Sequence, residues 1–305
     1  SGEERASPNK AFGPSAPRCY PPTNRTKPSG AIDPRAMRTI AVYRPAKRFP
    51  SVSVTGAGCA LLCEHCKGRF LRGMVPAVSP PALLSFAARL EREGGTGLLL
   101  SGGCDAQGRV PVGPFLPAIR EIKATTRLLV NVHPGLVSPQ EGRLLAASRA
   151  DRIAFDLVLD PVAIATQLHL ARSPQDYLDS LDALCRAAPG RVAPHILLGL
   201  GDEERELEAV RAAGRRGVAC VVLLMLMGGK VNDWEARLLR AAREGADGPP
   251  VLLGCMRPRG RPDVEIAALE AGAAGIANPT EGTVRAIIEK GWALEERPVC
   301  CALHR

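Results

Sequence analysis

From Phe49 onward the chain repeats one pattern: a short apolar run, a turn built from Gly, Pro, Asn or Asp, then a helical stretch rich in Ala, Leu, Arg and Glu. This is the pattern of βα units around a parallel sheet. Eight runs fit it: "SVSVTG" (51–56), "GLLLSGG" (97–103), "RLLVNVHPG" (127–135), "DRIAFDLV" (151–158), "RVAPHILLGL" (191–200), "VACVVLLML" (218–226), "VLLGCM" (251–256) and "AAGIANP" (273–279). Helix candidates such as "PPALLSFAARLEREG", "SPQEGRLLAASRA" and "SPQDYLDSLDALCRAA" lie between them, and Ser-Pro openings mark where several begin. Eight strands over about 250 residues predict an α/β fold, a (βα)8 TIM-type barrel, with an open doubly wound sheet as competitor. The first run is not followed by GxGxxG, which weighs against a dinucleotide fold. In either architecture, function belongs at the carboxyl ends of the strands.

The head of the chain differs. Residues 1–50 hold ten Lys and Arg against three Asp and Glu, so most of the formal net charge of +9 sits there and the rest is nearly neutral. The head also carries nine of the 27 prolines, in stretches such as "PSAPRCYPPTNRTKPSG", which excludes a helix or central strand over the first 30 or so residues. The expected division is a flexible, Pro-rich basic arm over 1–37 and a barrel over 38–305 that ends in a short Cys-containing tail. A basic arm suits an acidic partner or nucleic acid, or is simply a solvated tail. With aromatic residues at 4%, base stacking has little support, and nucleic acid is the weakest of these partners. The longest apolar runs fall short of a bilayer span and the N-terminus lacks a signal peptide's apolar stretch, so the expectation is a soluble, cytoplasmic protein with no membrane contact.

A chain of this size has no need of the disulfide framework that its ten cysteines would permit, so reduced thiols and metal are the better reading. Cys59, Cys63 and Cys66 follow directly on the first run, in the first βα loop. Thiolates at such spacing hold iron–sulfur clusters or zinc. Structural zinc requires a fourth ligand, and the loop offers only His65. A [4Fe-4S] cluster on three cysteines leaves one iron open to a substrate or cofactor.

CxxxCxxC at the end of a first barrel strand, with "SGG" (Ser101, Gly102, Gly103) ending the second, resembles the radical S-adenosylmethionine enzymes, and within them the biotin-synthase-like proteins. The subgroup most resembled is the archaeal-type two-component lipoyl synthase. The resemblance implies that Cys59, Cys63 and Cys66 hold a [4Fe-4S] cluster whose open iron binds S-adenosylmethionine and cleaves it to a 5′-deoxyadenosyl radical. It implies His65 beside the adenine, the SGG turn on the methionyl amine, and Leu197 and Gly199 in an adenine-contacting segment. Cys104 replaces the acid usual after that turn. Asn131 and His133 are candidates for ribose or carboxylate, or are turn residues; Asp156, interrupting an apolar strand, needs a buried partner and suits a ligand role at a barrel mouth.

Cys104, Cys255, Cys300 and Cys301 are candidate ligands of an auxiliary [4Fe-4S] or [2Fe-2S] cluster, with Cys19 a remoter one. The alternative is a vicinal thiol pair or an unused tail. Cys185 and Cys220 read as small buried hydrophobes. An auxiliary cluster implies sulfur insertion into an unactivated carbon, in this subgroup the octanoyl chain of a carrier protein or peptide. A second subunit of similar fold and an electron donor such as ferredoxin or flavodoxin are then implied as well. Arg257 and Arg259 are candidates for fixing a carboxylate or replacing a cysteine ligand. The stretch from Met225 and Met227 to Gly228 and Gly229 reads as an acyl channel, with core packing the stronger reading for Met225. Biotin formation, methylation, rearrangement, and a non-enzymatic iron–sulfur carrier or scaffold are the competing readings.

Overall fold

The computed structural model describes residues 38–227 and 233–305. The arm expected over 1–37, Cys19 within it, and the Gly228–Gly229 pair lie outside the described residues. All eight expected runs are strands. They are β2 (Ser51–Ser53), β4 (Gly97–Ser101), β5 (Leu129–Val132), β6 (Arg152–Asp156), β7 (Val192–Leu198), β8 (Val221–Met225), β9 (Val251–Leu253) and β10 (Gly275–Ala277). Three more join them: β1 (Thr39–Tyr43), β3 (Val75–Pro76) and β11 (Ala293–Arg297).

The result is one curled parallel sheet in the order β11-β1-β10-β9-β8-β7-β6-β5-β4-β2-β3. Two features differ from the expected eight-stranded barrel. Among the described residues there are eleven strands, and the ladder is open: β10 pairs with β1 rather than β2, and β2 has β3 as its other neighbour. The segment "TIAVY" explains part of this. Rich in β-branched and aromatic residues, it takes the edge of β10 and then offers its own free edge to β11.

Helices return the chain between strands, as parallel pairing requires. Three Ser-Pro signals mark helix starts as expected. Ser79 caps α1 (Pro80–Arg92), accepting from the Ala82 amide. Ser138 and Ser173 form capping boxes with Glu141 and Asp176 at the starts of α3 (Pro139–Ala147) and α5 (Pro174–Ala187), which follow α2 (Leu116–Thr125) and the short α4 (Pro161–Thr166). Further on come α6 (Glu203–Gly214), α7 (Trp234–Glu244), α8 (Pro262–Glu270) and α9 (Glu281–Glu289). Among the described residues no helix is long and apolar enough to cross a membrane.

Side chains alternate across each strand, so the sheet has two faces. Outward residues such as Val52, Leu100, Val132, Phe155, Ile196 and Leu223 join the helices in the main core. Each such side chain contributes about 1.5–3 kcal/mol when fully buried. Inward residues form a second, smaller cluster that includes Ala41, Tyr43, Ala193, Cys220, Val222 and Leu252, together with Cys301 and Ala302 of the tail. The tail therefore fills the hollow of the sheet. It passes Thr96, whose Oγ1 donates to Pro298 O at 2.6 Å, and its turn Cys301–Leu303 packs against β6, β8 and β10. Tyr43 Oη meets His304 Nδ1 at 2.5 Å, and Arg152 Nη2 donates to His304 O at 2.9 Å.

Candidate metal centre

The cysteine loop leaves β2 and is pinned on both flanks. On one side lies the SGG turn: Gly103 N donates to Thr55 Oγ1 at 2.7 Å, and Ala60 N donates to Cys104 O at 2.8 Å. The approach is so close that a Cβ on Gly103 would fall 2.0 Å from Gly58 O and 2.6 Å from Cys59 Cβ. Glycine is required there by the cysteine loop itself. On the other side, Glu64 N donates to Gln167 O at 2.9 Å, His169 Nδ1 meets Leu61 O at 2.8 Å, and the Cys63 thiol donates to Leu168 O at 3.7 Å. Cys63 is buried, while Cys59, Cys66 and Cys104 are half-buried against the core.

These four thiols feel one another. Proton sharing with Cys63 pulls Cys66 down to about 5 against the opposing effect of burial, helped by the Gly68 amide and the cation-favouring side of His65 and Arg69. The same sharing, then burial, then the charges of Cys66, Cys104 and Cys59 push Cys63 up. Burial, followed by the charges of Cys59 and Asp156, raises Cys104 to about 12. The loop thus favours thiolate at Cys66 while holding further thiols beside it. Among the described residues no three His, Cys, Asp or Glu side chains converge as ligands of a single ion would. A [4Fe-4S] cluster asks for something different, since each thiolate binds its own iron. Three thiols fixed on one pinned loop, Cys63 buried and Cys59 and Cys66 half-buried, fit that group.

Below the loop the hollow is lined by polar residues of β4 to β7. Ser101 Oγ donates to His133 O at 3.2 Å, and Asp156 Oδ1 lies 3.2 Å from His133 Nε2. Strand register sets Asp156 beside His195, whose ring meets that of His133 edge-on at 6.1 Å between centroids. More than half of the Asp156 side chain is open, at 57%, yet enclosure is the largest single influence on its ionisation. It lines a hollow that water can enter. Enclosure opposes ionisation, but His133, and then His195 and His65, outweigh it and bring Asp156 down to about 2. His133 is raised: burial works against its charge, and Asp156 overcomes that. Burial brings His195 down to about 4. The buried partner that Asp156 requires is thus His133. His65 is half-buried near the same hollow, and its Nδ1 has no hydrogen-bond partner.

Deeper still lies a second group of thiols. Asn131, 1% exposed, donates from Nδ2 to Cys300 Sγ at 3.8 Å, and its Oδ1 has no partner. Proton sharing with Cys301 brings Cys300 down to about 7 against burial, with the Ala302 amide, Asn131 and Arg152 assisting. Cys301 is pushed up in turn, and it feels the charges of Cys255 and Cys220. Cys220 donates to Ala302 O at 3.6 Å. The structure therefore sorts the expected auxiliary ligands differently from their sequence grouping. Cys255, exposed just past β9, feels the charge of Cys300 and acts on Cys301, whereas Cys104 feels Cys59 and Cys66.

Other candidates take structural places. Leu197, half-buried, shares the inward face of β7 with His195. Gly199, at φ 83°, donates its amide to Glu206 Oε1 at 2.7 Å, so that donor is already used. Arg257 is not free to bind a carboxylate or metal. Only 2% exposed, it holds Glu265 through Nε at 2.8 Å and donates from Nη1 to Gly254 O at 2.5 Å and Ala277 O at 2.7 Å, tying the ends of β9 and β10 together. Arg259 is exposed and donates to Cys255 O at 3.1 Å. Met225 is fully buried in the main core, and Met227 is 38% exposed. Cys185 packs against the core, as expected. Thr55, Arg152 and His195 are lining or supporting residues that motif reading passed over, while Cys220 is fully buried, as expected. Strand parity was the available signal, since Arg152 and His195 lie an even number of residues from Asp156 and Leu197.

No protein-family model matches the chain, and a search of curated proteins finds no match. Solved structures do resemble it. HydG, a maturase of the [FeFe]-hydrogenase, aligns with a TM-score of 0.58 at 14% identity, over 85% of this chain and 64% of that one. Methylornithine synthase (PylB) aligns at 0.57 and 14% identity over 85% and 84%. SuiB of Streptococcus suis, solved with S-adenosylmethionine bound, aligns at 0.51 and 12% identity over 87% and 57%. The chain spans less than two thirds of HydG and of SuiB. These likenesses establish the fold, a curled α/β sheet of the TIM type.

Proposed function

We propose that this chain is a radical S-adenosylmethionine enzyme. The observation that carries the reading is the CxxxCxxC loop, pinned on the SGG turn at the carboxyl end of β2 and facing a polar hollow. Cys59, Cys63 and Cys66 would hold a [4Fe-4S] cluster. With S-adenosylmethionine bound, that group supplies one electron to the sulfonium and so a 5′-deoxyadenosyl radical able to take hydrogen from an unactivated carbon, which acid–base residues cannot do. The chain's own residues bind and orient. Ser101, Gly102 and Gly103 present backbone groups at the loop, Asp156 is held as a carboxylate by His133 and suits ribose hydroxyls or an ammonium, and neutral His195 and Leu197 line the wall.

The finer reading is sulfur insertion into a protein-bound octanoyl chain, as in a two-component lipoyl synthase. Its support is Cys300 and Cys301 of the docked tail, with buried Cys220 and exposed Cys255 as neighbours, which would hold an auxiliary cluster as sulfur source. A second subunit of similar fold, an octanoylated carrier and a ferredoxin- or flavodoxin-type donor belong to this proposal. The test is anaerobic reconstitution with iron and sulfide counting, then incubation with an octanoyl-lysine peptide. Because the reading needs a second subunit, the iron count of this chain decides: about eight irons per chain, or a peptide mass gain from sulfur replacing hydrogen, support sulfur insertion, and about four irons favour a simpler radical reaction.

A further inference from the structure

We propose that Cys104 is the fourth ligand of the cluster at Cys59, Cys63 and Cys66 when no cofactor is bound, and gives up that place to S-adenosylmethionine. The inference rests on the reading of the loop as a [4Fe-4S] site. Cys104 is the remaining thiol of the mouth group, half-buried against the same core as Cys59 and Cys66. Its carbonyl is tied to Ala60 N, one residue past Cys59, at 2.8 Å, and the residue before it has no room for a Cβ against Cys59. Thr55 fixes the same turn through the Gly103 amide at 2.7 Å. The turn is thus rigidly held on the cluster loop rather than resting near it.

A three-cysteine cluster leaves one iron without a protein ligand, and a thiol carried on a turn hydrogen-bonded to the cluster loop is the side chain placed to take that position with little rearrangement. The exchange is a ligand substitution. The bond from iron to Cys104 Sγ breaks, bonds from iron to the amino and carboxylate groups of the cofactor form, and the released thiolate takes a proton from solvent. No electron is transferred. Such a device protects the cluster from oxygen and stray ligands until the cofactor arrives.

The test uses the full chain, reconstituted anaerobically, as wild type, Cys104→Ala and Cys104→Ser. Iron and sulfide are counted, and electron paramagnetic resonance spectra of the reduced proteins are recorded with and without S-adenosylmethionine. Any signal from other cysteines is common to all three and cancels in the difference. The expected result is equal iron in all three, a signal without cofactor that differs between wild type and both variants, and a common signal once the cofactor is added. Iodoacetamide mapping should find Cys104 protected in the cofactor-free protein and labelled when cofactor is present. Identical cofactor-free spectra with full iron would overturn the inference while leaving the cluster reading intact. A wild-type spectrum that does not move on adding cofactor, with Cys104 still protected, would overturn the exchange. A wild type that takes up no cluster at all would sink both readings.

Discussion

The mouth and the floor of the hollow both gather thiols, but they are built in opposite ways. At the mouth, three cysteines come from a single eight-residue stretch, and the fourth sits on the adjoining turn. At the floor, Cys220 from the start of β8 and Cys300 and Cys301 from the tail are packed together by the docked tail, while Cys255, exposed past the carboxyl end of β9, acts on them by charge. At each level proton sharing with a neighbouring cysteine lowers one thiol, Cys66 at the mouth and Cys300 at the floor. Enclosure opposes ionisation, so a floor thiolate depends first on proton sharing with Cys301, then on the Ala302 amide, Asn131 and the guanidinium of Arg152. A site on one loop can be preformed. A site that needs the tail forms only when the whole domain has folded.

Substitutions at the two levels should therefore separate. The largest effect is expected for Cys63→Ala, which removes a mouth ligand: S-adenosylmethionine cleavage, followed as 5′-deoxyadenosine, falls to background while the floor group keeps its iron. Next comes Arg257→Ala, which leaves Glu265 buried without its partner and should destabilise by about 3–5 kcal/mol in a denaturant titration. The folded fraction should keep its full iron, because Arg257 ties strand ends and binds no metal. Undiminished stability with lost iron would reverse that assignment.

The double substitution Cys300→Ser, Cys301→Ser should have the reverse profile. Iron falls by the floor's share and any sulfur product disappears, yet uncoupled cofactor cleavage persists. If cleavage is lost as well, floor and mouth act as one site and the distinction fails. The smallest effect concerns the bridge between them. Asp156 raises His133 above its usual 6.5, so the stability from that ionised imidazole is full below this value and is lost as pH rises through the folded one. Asp156 is depressed from 3.8 to about 2, so its share holds above 3.8 and is lost as pH falls through about 2. In Asp156→Asn, an NMR titration should find the His133 pKa lower than in the wild type; an unchanged value would mean that the two groups do not pair.

The mouth was legible because a contiguous motif and the glycine turn are both local. The eight apolar runs and the Ser-Pro caps were legible for the same reason. Their periodicity and capping chemistry depend on neighbours in sequence. Closure of the sheet was not, because "TIAVY" at β1 and the pairing of β11 depend on which edge remains free after the other strands have paired. The grouping of Cys104 with the mouth and of Cys220 with the floor was likewise hidden. Both follow from which face of a curled sheet a residue lines and from where the tail docks. Arg257 misled for a further reason: beside Cys255 at a strand end it reads as a carboxylate or ligand candidate, and only its buried partner Glu265, eight residues on, shows its role.

The central claim is that the pinned mouth loop holds a cluster with one iron open to S-adenosylmethionine. The most direct measurement is the formation of 5′-deoxyadenosine by the anaerobically reconstituted, dithionite-reduced chain, with iron and sulfide counted in the same sample. The account predicts 5′-deoxyadenosine from the wild type and none from Cys63→Ala. An intact mouth cluster that yields no 5′-deoxyadenosine would contradict it.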